Sequence, residues 1–283
     1  MLTQDLEPVD EDSLYDHVYE LIVSRAGSSQ SELGLGYVSR TDLVEISVGD
    51  QELEIKQSLS MLNSSQESST TGAVIWKVSP LFADWLLTET SLFNKTIVNS
   101  SQTVVELGTG VAGIVAATLG QKVGRYIATD QEHILKLLSY NIENNTASSK
   151  ISSKKRVKAA AVPSQISVCE YDWEHLETFG NFKDGIEGLG SNGTIIACDT
   201  IYNDYLIPHF VNALLTVAKT MGPEHNIIIA QQLRTHEILE ASLSQLLEAG
   251  FNVWSVPDEL LSKKLRNGFA VHYLQLPLED KSF

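Results

Sequence analysis

Cysteine is scarce in this chain of 283 residues: Cys169 and Cys198 are the two present. No C-x-x-C pair or Cys/His spacing accompanies them, so the sequence offers neither a zinc framework nor a disulfide scaffold. No metal is expected. Basic residues are also in deficit, 20 Lys and Arg against 36 Asp and Glu, for a formal net charge of −16. Binding to phosphates needs a basic face, which argues against nucleic acid as a direct partner. No apolar run approaches the roughly 20 residues of a membrane span. The opening "MLTQDLEPVDEDSLYDH" is acidic where a targeting leader would be basic and then apolar. N-x-[ST] triplets such as Asn63-Ser64-Ser65 and Asn94-Lys95-Thr96 are read as chance matches in a Ser/Asn-rich sequence. These absences set the expectation of a cytoplasmic protein with reduced thiols, no membrane partner and, by default, a monomeric state.

What is present is an ordinary globular composition, 43% hydrophobic and 20% charged, with ample material for a core. The acid excess suits attraction of a basic protein partner through the long-range field, and equally suits plain solubility. Within "DEDSLYDHVYELIVSRA", Leu14, Val18, Leu21 and Ile22 recur at helical spacing. "DLVEISVGDQELEIKQS" alternates around Gly49-Asp50 and reads as a β-hairpin. After the polar "SMLNSSQESSTTG", a different organisation begins. The expected boundary separates an N-terminal extension, residues 1–71, from a larger domain, 72–283.

In that larger part, "PLFADWLLTETSLF" is helical with Pro80 near its start, where a missing N–H costs nothing. Strand-like runs then alternate with helical ones: "TVVEL", "VAGIVAATLG", "RYIATD", "EHILKLLSYNIENN", "QISVCEYDW", "GTIIACDTIY", "DYLIPHFVNALLTVAKTMG", "HNIIIAQQ" and "THEILEASLSQLLEAG". Such alternation implies a mostly parallel sheet covered on both faces. The closing "FNVWSVP" and "GFAVHYLQLP" lack a full crossover helix between them and are expected to pair antiparallel. The fold class is therefore α/β, a doubly wound, Rossmann-like sheet of seven strands whose last strand is antiparallel, preceded by a helix and a hairpin. "TASSKISSKKRVKAAAVPSQ" concentrates Lys150, Lys154, Lys155, Arg156 and Lys158; it is longer than most connections and reads as a surface insertion.

"ELGTGVAG" contains a full G-x-G-x-x-G at Gly108, Gly110 and Gly113, with Asp130 about twenty residues on. A glycine turn of this kind lets a ligand approach the backbone and the helix N-terminus, while the acid can accept ribose hydroxyls. Both NAD and S-adenosylmethionine present an adenosine ribose, so the glycines do not choose between them. Glu106 does. A pyrophosphate beside it would face a like charge, whereas S-adenosylmethionine brings a cationic sulfonium and an ammonium. Glu106 can also simply hold the turn through local N–H groups.

Together, "VVELGTGVAG", "ATD", "YDW" and "DTIY" resemble the seven-β-strand methyltransferases of family 16, many of which modify protein lysines. "GAVIWKVSPLFADWL" and the hairpin ending near Gln57 resemble the same family's segments upstream of the first strand. Within it, the chain is most similar to the fungal ribosomal-protein lysine methyltransferases. The resemblance implies an enzyme that moves a methyl group from S-adenosylmethionine to a lysine of a protein substrate, a ribosomal protein being one such substrate. It implies that Gly108, Thr109 and Gly110 line the methionine and ribose portion, that Asp130 takes the ribose hydroxyls, and that Trp173 packs on the adenine. Trp76 would close the methionine end, and Cys198 would form a wall without acting as a nucleophile. The D-x-x-Y motif is Asp199-Thr200-Ile201-Tyr202; Asp199 is expected to orient the lysine through its side chain or backbone, with Tyr202 walling the channel. His209, His225 and His236 are read as spectators. A small-molecule methyltransferase, a nicotinamide-dependent oxidoreductase and a non-catalytic binding module remain as alternatives.

Overall fold

The computed structural model describes residues 2–26, 36–62, 71–89, 91–146 and 165–277. Residues 63–70 of the polar stretch and nearly all of the lysine-rich segment lie outside the described residues.

Strand β1 (Glu7–Val9) and helix α1 (Leu14–Leu21) come first, followed by the hairpin of β2 (Leu43–Val48) and β3 (Gln51–Lys56). Helix α2 (Val78–Leu87) then leads into the alternating part: β4 (Thr103–Leu107), α3 (Ile114–Leu119), β5 (Arg125–Asp130), α4 (Glu132–Asn145) and β6 (Ile166–Glu170). It continues with β7 (Gly193–Cys198), α5 (Leu206–Met221), β8 (Asn226–Gln232), α6 (His236–Glu248), β9 (Asn252–Ser255) and β10 (Phe269–Gln275).

The main sheet has eight strands in the order β1-β9-β10-β8-β7-β4-β5-β6. The run β8-β7-β4-β5-β6 is parallel, and β10 is antiparallel to both β8 and β9. The expected seven strands are thus present, with the last one antiparallel. The eighth is β1, which pairs with β9 through Glu7↔Ser255, Pro8↔Trp254 and Val9↔Val253. Its three residues are too short for an alternating pattern, and Pro8 is tolerable because β1 is an edge strand.

Alternation along the inner strands feeds two apolar layers. Val104, Tyr126, Ala128, Ile196 and Ile228 face α2, α3 and α4. Val105, Ile127, Ile195, Ala197, Ile227 and Ile229 face α1, α5 and α6. Continuous Val/Ile runs are what a doubly covered parallel sheet requires.

The hairpin is not merely appended. From α4, the Asn141 amide accepts from Lys56 N at 2.9 Å and donates to Lys56 O at 2.7 Å. Asn145 repeats the pattern on Glu54 N and O, at 2.8 and 2.9 Å. The two buried amides act as a substitute strand for the exposed edge of β3. Asn141 also donates to Val111 O at 2.7 Å, which ties the hairpin and α4 to the turn after β4.

Candidate functional site

The C-terminal ends of parallel strands are where open α/β sheets present their ligands. Here the turns after β4, β5, β6 and β7 converge on one cavity of ≈ 860 Å³, its open mouth included. Its lining takes in Trp76, Gly108, Thr109, Gly110, Asp130, Trp173, Cys198, Asp199 and Tyr202. Residues from distant parts of the sequence therefore meet as expected. His209, His225 and His236 do not line it. His225 is held instead by Gly222 O at 2.6 Å, and His236 by Glu240 at 3.2 Å.

One wall is built from backbone. Gly108 and Gly110 have φ of +70° and +67°, conformations that L-residues rarely adopt. A Cβ on Gly108 would lie 2.8 Å from Thr200 Cγ2 and 3.1 Å from the Trp173 ring. A Cβ on Gly110 would lie 3.2 Å from Gly72 O. Val111 N donates to that same Gly72 carbonyl at 2.7 Å, so the segment before α2 is clasped to the turn. Asp130 pins the turn from β5: one carboxylate oxygen accepts Gly110 N at 2.7 Å, the other Gln131 N at 2.8 Å. Burial raises the pKa of this carboxyl, and the two amides oppose the shift.

Glu106 is placed differently from the residues around it. It is buried but does not line the cavity. It lies on the same strand face as Val104, under the turn, and its carboxylate accepts the Tyr126 hydroxyl at 2.8 Å. Burial pushes its pKa up to about 8, against the hydrogen bonds from Tyr126 and Thr109. The arrangement matches the role of holding the turn, with ligand contact left to the glycines above it.

Trp173 stands over the glycine turn, edge-to-face with Phe210 at 5.3 Å. Among the described residues its buried indole Nε1 has no partner, and neither has the hydroxyl of Thr200 next to it in the lining. Two such atoms at one cavity call for a partner, water or ligand, that the described residues do not supply. The Cys198 thiol is pushed well above its ordinary range by burial and by the charges of Glu106 and Asp199, so it is held as an inert wall.

The opposite wall depends on side chains. Asp199 has φ of +55°, an unusual value for a non-glycine residue, just beyond the end of β7. Asp199 N donates to Ala230 O at 2.8 Å, which fixes this conformation against β8. Its carboxylate is not open to the cavity: the side chain is fully buried and bidentate with Arg234, at 2.6 and 2.7 Å. Gln232 N adds a third donor at 3.2 Å. The helix that follows is capped by Asn203 rather than by Asp199: Asn203 Oδ1 accepts Leu206 N at 2.9 Å. The Arg234 guanidinium also sits 5.4 Å from the centre of the Trp76 ring. Trp76 itself donates Nε1 to Thr71 O at 2.9 Å and pairs across a bridge with Tyr37.

Arg234 belongs to no motif in the sequence. A lone arginine two residues past the end of an apolar strand, on the side of the sheet where chemistry gathers, was the available signal.

The lysine methyltransferase family model matches residues 54–246. Ribosomal lysine N-methyltransferase 5 of Zygosaccharomyces rouxii is 31% identical, over 91% of this chain and 96% of its own length. The protein of the same name from Lachancea thermotolerans is 28% identical, over 96% of this chain and 99% of its own. The diaminohydroxyphosphoribosylamino-pyrimidine deaminase of Schizosaccharomyces pombe is 30% identical over 75% of this chain, a match that spans 46% of that protein.

Proposed function

From its place in the lysine methyltransferase family, to which this chain belongs, we propose that it methylates a lysine of a ribosomal protein, with S-adenosylmethionine as donor. The observation that carries this reading is one shared cavity, whose one wall is the glycine turn and whose other wall is the D-x-x-Y segment. The acidic chain acts in the cytoplasm as a monomer. It meets its substrate as a protein, with no contact of its own to nucleic acid or membrane.

S-adenosylmethionine fits the residues present. The glycine turn leaves room that any Cβ would take, and the buried Trp173 Nε1 and Thr200 hydroxyl lack partners among the described residues. Gly108, Thr109 and Gly110 would hold the amino-acid and ribose portions, with Asp130 on the ribose hydroxyls. Trp173 offers the adenine a flat apolar partner. Trp76 closes the far end. When bound, this donor supplies an electrophilic methyl carbon on a cationic sulfur.

The chain's own task is then alignment and exclusion of water. Tyr202 walls the channel through which the lysine arrives. Asp199 presents its main chain there, since its carboxylate is already taken by Arg234. A lysine amine has a reference pKa of about 10.4 and must be neutral to attack. Among the described residues none is placed as a dedicated base, and its proton leaves to water at the mouth of the cavity.

The test uses radiolabelled S-adenosylmethionine with ribosomal proteins extracted from cells lacking the endogenous enzyme. Label on a lysine of one discrete protein is expected with the wild type and is expected to be lost with Asp199→Ala. Label confined to small molecules would sink the reading in favour of a small-molecule acceptor.

A further inference from the structure

Cavity carboxylates pose a chemical difficulty for this reaction, because an anion beside an incoming lysine holds it as the unreactive ammonium. The acids around the cavity differ in how they are partnered. Asp130 is occupied by the amides of Gly110 and Gln131. Asp172 accepts Glu174 N at 3.0 Å, Gln131 Nε2 at 3.2 Å and His175 Nδ1 at 3.3 Å. Glu174 accepts the Tyr205 hydroxyl at 2.9 Å. Glu106 is under the turn and held by Tyr126. Asp199, on the wall where the lysine is expected, is the one matched by a permanent cation. The remaining titratable groups in the described lining are the Cys198 thiol and the Tyr171 and Tyr202 hydroxyls; Lys77, next to Trp76 in the chain, lines a separate groove with Pro80 and Asp84.

We propose that Arg234 is a positioning residue for methyl transfer: by occupying the Asp199 carboxylate from behind, it denies the incoming lysine a counterion and lets the amine arrive neutral. The inference rests on the proposed lysine acceptor and adds to it a reason for the ion pair. Arg234 does not itself line the cavity. It reaches both sides of the acceptor wall, bidentate to Asp199 and over the ring of Trp76. The planar guanidinium suits both contacts at once, as an ammonium would not. Its backbone neighbourhood leaves little freedom. A Cβ on Gly36 would lie 2.0 Å from Gln232 Oε1 and 3.4 Å from Arg234 Nη2, so the strap through Gly36 packs directly on these side chains.

Removing the guanidinium makes the lysine ammonium the natural partner of a bare Asp199. A nearby opposite charge stabilises the charged form by about one to three pH units. The experiment is the single-turnover rate as a function of pH, with enzyme in excess over extracted ribosomal proteins and S-adenosylmethionine saturating. For Arg234→Gln, the acidic limb of the profile is expected to move up by about one pH unit, with a roughly tenfold slower transfer near neutral pH. Asp199→Asn keeps the size and the hydrogen-bonding shape that Asp199→Ala removes, so it is expected to retain a reduced but measurable rate; it leaves the cation uncompensated, and its limb is expected to move the opposite way. The double variant Asp199→Asn/Arg234→Gln should return the limb to the wild-type position even if its rate stays low. Arg234→Lys keeps the charge and should keep the limb.

A merely structural ion pair predicts something else: a loss of rate equal at every pH, and a double variant no better placed than the singles. That result would overturn the proposal. If Arg234→Gln fails to fold, judged by lost binding of S-adenosylhomocysteine, the opposite shift in Asp199→Asn decides alone; no shift there overturns it. A wild type that transfers to no protein lysine at any pH would overturn the acceptor reading and this inference together. Wild-type transfer whose profile no variant moves would overturn only the inference.

Discussion

The two walls of the cavity are made by different means. The wall after β4 is backbone: glycines at positive φ, amides held by Asp130, and the carbonyl of Gly72 against Val111. The wall after β7 is a side-chain construction, in which Asp199 and Arg234 are 35 residues apart and meet across neighbouring strands. A backbone wall tolerates almost no added atom but needs no charge balance. A side-chain wall keeps its geometry only while both charges remain. One is broken by bulk and the other by charge, and variants can separate them.

The largest effect is expected from Gly108→Ala. A Cβ there meets Thr200 and Trp173 and forces a strained φ, at about 2–3 kcal/mol. Binding of S-adenosylhomocysteine, followed by calorimetry, should weaken by about 100-fold. Wild-type affinity would break the contrast between the walls. A smaller loss is expected from Trp173→Phe, which keeps most of the apolar face and removes the orphaned Nε1. Its cost should be about 1 kcal/mol, or several-fold in affinity. An unchanged affinity would mean that the indole N–H is not a ligand contact.

The smallest effect on cofactor affinity concerns the support beneath the first wall, where the readout is stability against pH. Folded Glu106 keeps its proton up to about pH 8 because burial disfavours the carboxylate, whereas its ordinary value is 4.5. The folded chain therefore binds more protons than the unfolded chain between those values. The contribution of Glu106 to stability is complete below about pH 4.5 and declines as pH rises through that window to about 8. Glu106→Gln should flatten the decline in urea midpoints between pH 5 and 8, with little change in cofactor affinity. Equal slopes in the two proteins would contradict a buried, protonated Glu106.

The contrast also explains what could be read in advance. The glycine wall was legible because its residues are neighbours in sequence and each has a local reason to be there. The same holds for the strands and helices, whose Val/Ile runs and helical spacings are local patterns. Strand β1 escaped because three edge residues carry no period. Glu106 was placed at the right turn, but its strand parity points it beneath the turn rather than into the cavity. Asp199 was legible through its motif, yet the sequence could not show that its carboxylate is occupied. That depends on β7 and β8 lying side by side, with Arg234 carried just past the end of the second. The buried Asn141 and Asn145 of α4 were hidden for the same reason, since their partners are the edge of β3.

The most direct test of a cavity with two separable walls is Asp199→Ala measured two ways on one preparation. Calorimetry would give its affinity for S-adenosylhomocysteine, and labelled transfer to ribosomal-protein lysines would give its activity. The loss of half a buried ion pair should lower stability by about 3 kcal/mol. In protein that remains folded, affinity is expected within about threefold of wild type, by the separation of the walls, while transfer is abolished. Loss of affinity in step with transfer would show that Asp199 builds the cofactor wall, and would contradict the account.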